Sequence, residues 1–131
     1  MITKILVAVD DSAPALAAAD FAVELARTLS AELRAVKVVE PERDPDVVLR
    51  HVMSLGDRAG VTTTVTSIDD GKHAFEAVLA DAKLWGADLI VMGRSDQRPT
   101  GRPYVGSQTE HLLEFTEIPV VVVPGGAVLA R

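Results

Sequence analysis

Five short apolar runs are separated by segments whose apolar residues recur every three or four positions, and this alternation limits the possible folds more than any other feature of the chain. Ile5 to Val9 is nearly continuous in apolar residues, as expected of a strand buried on both faces. Asp10-Asp11-Ser12 breaks it, and Ser12 is placed to cap a helix whose first turn accommodates Pro14. Phe21, Leu25 and Leu29, with Ala18 and Ala22 on the adjoining stripe, predict one buried face on that helix. Leu33 to Val39 reads as a second strand and Glu40 to Pro45 as a loop. A helix is predicted from Asp46 to Arg58, with Val47, Val48, Val52 and Leu55 inward, ended by Gly60. The Thr- and Val-rich stretch Val61 to Ile68 is a third strand, and Asp69-Asp70-Gly71 turns the chain.

Lys72 to Trp85 is then a helix with Phe75, Leu79 and Ala82 on one side and Gly86 as its C-terminal cap. Leu89 to Met92 has the character of the most deeply buried strand. After a polar loop from Gly93 to Tyr104, Val105 to Thr116 is a helix with Leu112 and Leu113 inward, and Ile118 to Val123 is the last strand. The order βαβαβαβαβ implies an α/β fold: one domain with an open five-stranded parallel sheet, doubly wound with helices on both faces.

Composition narrows the function. Apolar residues make up 48% of the 131, enough for a core. A net charge of −6 argues against non-specific attraction to nucleic acid or to an anionic membrane. The absence of cysteine rules out disulfides, thiolate metal sites and cysteine nucleophiles. The opening apolar run is too short for a secretory signal and no run is long enough to span a bilayer, so a cytoplasmic location is expected. His51, His73 and His111 show no metal-ligand spacing, and no metal site is predicted. No Ser-His-Asp or Walker arrangement is present, so no catalytic residue is assigned and an enzyme would at most be a slow ATPase. A phosphoacceptor receiver domain is disfavoured, because the last strand ends in Val122-Val123-Pro124 with no lysine.

In an open parallel sheet, ligands bind beyond the carboxyl ends of the strands where strand order reverses. Three segments are expected to meet there: Ala8 to Ser12, Val38 to Glu40, and the loop from Gly93. Glycine permits close backbone approach at Gly93, either to a ligand or to make a turn. The helix start at Gly106-Ser107 offers free N–H groups to a phosphate, with the Ser107 and Thr109 hydroxyls as further donors. Asp10 and Asp11 serve equally as helix caps, and Arg94, Arg98 and Arg102 are either phosphate partners or solvated loop charge.

These segments resemble the universal stress protein family. Its ATP-binding members show glycine, two residues, glycine, nine residues, then glycine with serine or threonine. Here Gly93 is followed by Arg94-Ser95, Asp96, nine residues from Gln97 to Val105, and Gly106-Ser107, so the spacing is kept and the second glycine is Asp96. Lys4 to Ser12, Gly86 to Gly93 and Ile118 to Pro124 are similar to the family's first, fourth and last strands with their turns. The resemblance implies a Rossmann-like stress-response domain over residues 1–131 that binds ATP or another adenine nucleotide, with or without Mg²⁺. Ala8, Val9 and Asp10 would line the adenine and ribose side and Val38 would touch adenine. Met92 and Gly93 would border ribose and phosphates, and Gly106, Ser107 and Thr109 would hold phosphate oxygens. It also implies a homodimer paired through Ile118 to Val123, signalling to a protein partner that the sequence does not name. Asp96 keeps a second expectation open: a nucleotide-independent interaction protein of the same fold.

Overall fold

The computed structural model describes residues 1–9, 13–38, 46–68, 74–94 and 107–125. The elements run β1 (Lys4–Val9), α1 (Ala13–Leu29), β2 (Glu32–Val38), α2 (Asp46–Ala59), β3 (Thr63–Ile68), α3 (Ala74–Trp85), β4 (Leu89–Gly93), α4 (Ser107–Phe115) and β5 (Val120–Val123). The strands form one parallel sheet in the order β3-β2-β1-β4-β5. The predicted α/β architecture is therefore present, with element ends moved by no more than two residues.

Alternation along the strands explains the continuous apolar runs, since successive side chains enter two different cores. Ile5, Val7, Val9, Leu33, Ala35 and Val91 pack with α1 and α2. Leu6, Val36, Ile90 and Met92 pack with Phe75, Val78 and Ala82 of α3 and Leu112 of α4. Both faces of β1 and β4 are thus covered, and neither strand can carry polar side chains inward without cost.

The helices settle on narrower stripes than periodicity predicts. The face of α1 against the sheet is alanine: Ala15, Ala18, Ala19, Ala22 and Ala26 are buried, with Phe21 and Leu25 flanking them and Leu29 41% exposed. In α2 the inward residues are Val48, Leu49 and Val52, whereas Val47 points out and is 59% exposed. At 100° per residue, three consecutive positions cannot all face the sheet. The same limit holds in α4, where Leu112 is fully buried and its neighbour Leu113 is 42% exposed. Trp85 ends α3, and Gly86 adopts φ +83° as its N–H bonds the Ala82 carbonyl at 3.0 Å, the expected glycine cap.

The amino-terminal ends of the strands are pinned away from the expected site. Asp88 Oδ2 accepts from the Thr3 N–H at 2.9 Å, the Lys4 N–H at 3.0 Å and the Thr3 hydroxyl at 3.1 Å. These bonds, led by the Thr3 backbone N–H, hold the Asp88 carboxyl below its ordinary range. Arg34 of β2 forms a two-pronged ion pair with Asp81 of α3, at 2.8 and 2.9 Å. Hydrogen bonding to Asp81 holds the guanidinium above its ordinary value.

Candidate functional site

The sheet opens where strand order reverses. β1 and β4 are neighbours, but their pairing ends at Val7 opposite Val91. Beyond it β1 keeps β2, through Ala8 with Val36 and Val9 with Lys37. In the same way β4 keeps β5, through Met92 with Val122 and Gly93 with Val123. Two residues at the end of each strand therefore flank a crevice: Ala8 and Val9 on one side, Met92 and Gly93 on the other. All four were expected site residues. Ala8 is half-buried and Met92 buried on the α3–α4 side of the sheet, and Val9 is buried on the α1–α2 side, so the described side chains bounding the crevice are uncharged.

One helix is seated directly on this opening. A Cβ added to Gly93 would lie 2.5 Å from the carbonyl carbon and oxygen of Pro14 and 2.9 Å from the amide nitrogen of Ala15. The first turn of α1 thus occupies the space that any side chain at position 93 would need. The glycine's close approach is to a helix backbone, a partner that the sequence reading did not weigh. The Arg94 N–H continues the ladder by donating to the Val123 carbonyl at 2.8 Å, so the chain leaves the crevice along β5. Within α1 itself the first turn, from Ala13, carries no acidic residue.

α4 begins at Ser107, so the predicted helix start is in place. Ser107, Thr109 and Val38 are placed by their backbones, at the starts of α4 and the end of β2. Asp10, Asp96 and Gly106 lie outside the described residues, as do the Ser12 cap and the turns at 40–45 and 69–71. The described crevice is therefore the β1–β4 half of the expected site.

Sequence reasoning missed Lys37. It is a charged residue inside the sheet, 4% exposed, in register with Val9 at the carboxyl end of β2. It shares the α1–α2 face with Leu33 and Ala35, and it is held by an interaction of its own. The signal was available: a lysine between Val36 and Val38, where alternation demands an inward residue.

The profile of the universal stress protein family matches residues 1–124. The chain belongs to the universal stress protein family. Solved members show the same architecture. A universal stress family protein from Burkholderia pseudomallei is 30% identical, with a TM-score of 0.69, covering 94% of this chain and 96% of that one. A universal stress protein in complex with cAMP is 21% identical, with a TM-score of 0.80 and coverage of 95% and 98%. The Archaeoglobus fulgidus protein in complex with dAMP is 22% identical, with a TM-score of 0.71 and coverage of 94% and 99%. No curated protein matches the chain. Among the described residues, no helix is long and apolar enough to cross a membrane.

Proposed function

We propose that this universal stress protein binds an adenine nucleotide in the crevice between the ends of β1 and β4, and acts as a homodimer paired through β5. The observation that carries the reading is the parting of β1 from β4 at the reversal of strand order, with apolar walls below and the start of α1 beside it. Relatives of the same fold have been solved with cAMP and with dAMP. Both ligands join an adenine ring to one phosphate, a shape that suits apolar walls leading to helix amides.

In this reading Ala8, Val9 and Val38 receive the adenine, and Asp10 the ribose. Met92 and Gly93 border the sugar and first phosphate. Gly106, Ser107 and Thr109 hold phosphate oxygens of ATP. Asp96 would offer a carboxylate ligand to Mg²⁺, a hard cation that takes oxygen ligands, and the cation would offset its charge beside the phosphates. The protein then works as a regulatory module, passing nucleotide occupancy to a partner through the shape of the dimer. The two sheet edges support the pairing. β3 at one edge is rich in Thr and Ser, with Thr64 and Ser67 exposed; β5 at the other is four valines. An apolar edge with unpaired backbone groups favours addition of another strand.

Asp96 favours a second reading, an interaction protein of the same fold that needs no nucleotide. A carboxylate about 4 Å from a phosphate oxygen costs about 4 kcal/mol at an effective dielectric near 20, unless a cation intervenes. Calorimetric titration of ATP, with and without Mg²⁺ and again in Ser107→Ala, separates the two. Micromolar binding that weakens in the variant supports the nucleotide module, and binding only with Mg²⁺ supports a metal that offsets Asp96. No heat up to millimolar ATP, from folded and nucleotide-free protein, refutes it in favour of the second reading.

A further inference from the structure

The outer surface of the α3–α4 layer carries a groove of about 770 Å³, none of whose lining residues belongs to the nucleotide crevice. Its floor is aromatic. Phe75 stacks on His111, with ring centres 5.1 Å apart and planes at 29°, and on Phe115 at 5.9 Å and 13°. Phe75 is buried, but Phe115 is 60% exposed, an unusual position for a phenylalanine with no cover. Leu79 extends the floor along α3. Glu76 of α3 and Glu114 of α4 line the groove from opposite helices, and Lys83 lines it one turn beyond Leu79. Among the described residues, Glu76, Glu114 and Lys83 are in no ion pair.

From Glu76 to Lys83 the groove follows α3 for eight residues, about 10 Å or two helical turns. A long open trough fits an extended or helical segment better than a compact metabolite. Two carboxylates against one ammonium give it acidic character, which repels phosphate and attracts Lys or Arg. Aromatic rings beside carboxylates add cation–π attraction for the same side chains.

We infer that the α3–α4 groove is a docking site for a basic amphipathic helix of a protein partner. The helix lays apolar side chains on Leu79 and Phe115 and reaches Glu76 and Glu114 with Lys or Arg. Lys83 sets its direction by favouring an acidic residue at that end. A second copy of this chain is a poorer occupant. The exposed face of α2 offers Arg50, His51 and Arg58, but Val47 is its one exposed large apolar residue, too few to cover the floor. The site supplies the partner contact that a regulatory module needs, and it stands whether or not nucleotide binds.

The test uses fluorescence anisotropy with two labelled synthetic helices of about 16 residues, long enough to hold helical structure on binding. Both carry leucine at i, i+3 or i+4, and i+7. One has Lys and Arg on the flanks; the other has Glu. The basic helix should bind and the acidic one should not. Glu76→Gln with Glu114→Gln should weaken binding about tenfold or more, and Phe115→Ala should do likewise, as anchors at an interface centre do. The control, Glu32→Gln with Asp57→Asn, removes the same charge from exposed positions off the groove and should change affinity by less than about twofold. Equal loss in the control pair reduces the effect to general attraction by an acidic protein and overturns the proposal. So does binding that survives both groove variants, or no binding of the basic helix at about 1 mM. Self-association abolished by Phe115→Ala also overturns it, by making a second copy the occupant. The carboxamide pair leaves the fold's packing intact, so it decides even where Phe115→Ala lowers stability. ATP calorimetry on that pair should match the parent protein, which keeps this site separate from the crevice.

Discussion

Gly93→Ala tests whether the glycine that opens the nucleotide motif serves the fold or the ligand. The added Cβ would sit 2.5 Å from two Pro14 carbonyl atoms and 2.9 Å from the Ala15 nitrogen. All three belong to backbone, so no side-chain rotation relieves the clash. α1 would have to withdraw by roughly an ångström to regain ordinary contact near 3.4 Å. That withdrawal loosens Ala15, Ala18 and Ala19 from Val9 and Val123 in the larger core. Overpacking of this kind costs about 1–3 kcal/mol, and an unyielding neighbour puts it at the upper end. Against this, alanine restricts the unfolded chain and returns about 0.4–1 kcal/mol. The net expectation is a loss of about 2 kcal/mol, which at a urea slope near 2 kcal/mol/M lowers the denaturation midpoint by about 1 M. The assay is urea unfolding followed by circular dichroism without nucleotide, then ATP calorimetry at a temperature where the variant is folded. A variant as stable as the parent but unable to bind ATP would refute the reasoning, because it would place a ligand, not α1, against Gly93.

Two further perturbations address other parts of the molecule. Hydrogen bonds from the Ile90 N–H to the Pro119 carbonyl and from the Arg94 N–H to the Val123 carbonyl aim the odd-numbered residues of β5 at β4, so the Val120 and Val122 backbones face outward. Val122→Pro should therefore leave the sheet folded while converting a dimer to a monomer in sedimentation, and a parent protein already monomeric at tens of micromolar would sink the pairing. Asp88→Asn should flatten the acid limb of the stability curve. The carboxyl is depressed by the Thr3 and Lys4 N–H groups, so its contribution is full above the ordinary carboxylate value near 4 and fades as pH falls through the lower folded value. Melting profiles from pH 6 to pH 2 that run parallel for parent and variant would contradict it.

The strands were legible because burial on both faces leaves no room for polar interruption, and the βα alternation follows from them. The helix faces were less so. Val47-Val48-Leu49 reads as three equally apolar residues, and only the docking angle of α2 decides that Val48 and Leu49 go in while Val47 stays out. Leu113 and Leu29 are on stripe edges for the same reason. At the site, the glycine at 93 was visible but its neighbour was not, because the first turn of α1 reaches it across most of the chain's length. Lys37 was passed over because its strand was read for its apolar residues. The groove was illegible in a different way: Phe75 and Phe115 lie forty residues apart, and only the packing of α3 against α4 stacks them.

The first two glycine positions of the motif then carry different physical demands, and this bears on Asp96. Gly93 is required by the meeting of β4 with α1, a contact inside the protein that nucleotide need not be present to impose. A family member can therefore keep this glycine for folding alone. Under the proposed nucleotide reading, Asp96 stands at the second glycine of the family's ATP-binding pattern, so the change would fall on ligand recognition rather than on the seat of α1. The comparison of Asp96→Gly with Gly93→Ala follows from that division. Asp96→Gly should alter ATP affinity, or its dependence on Mg²⁺, while moving the urea midpoint by less than Gly93→Ala does. If Asp96→Gly instead leaves ATP and Mg²⁺ behaviour unchanged and shifts stability by about 2 kcal/mol, the division fails and position 96 belongs to the fold as well.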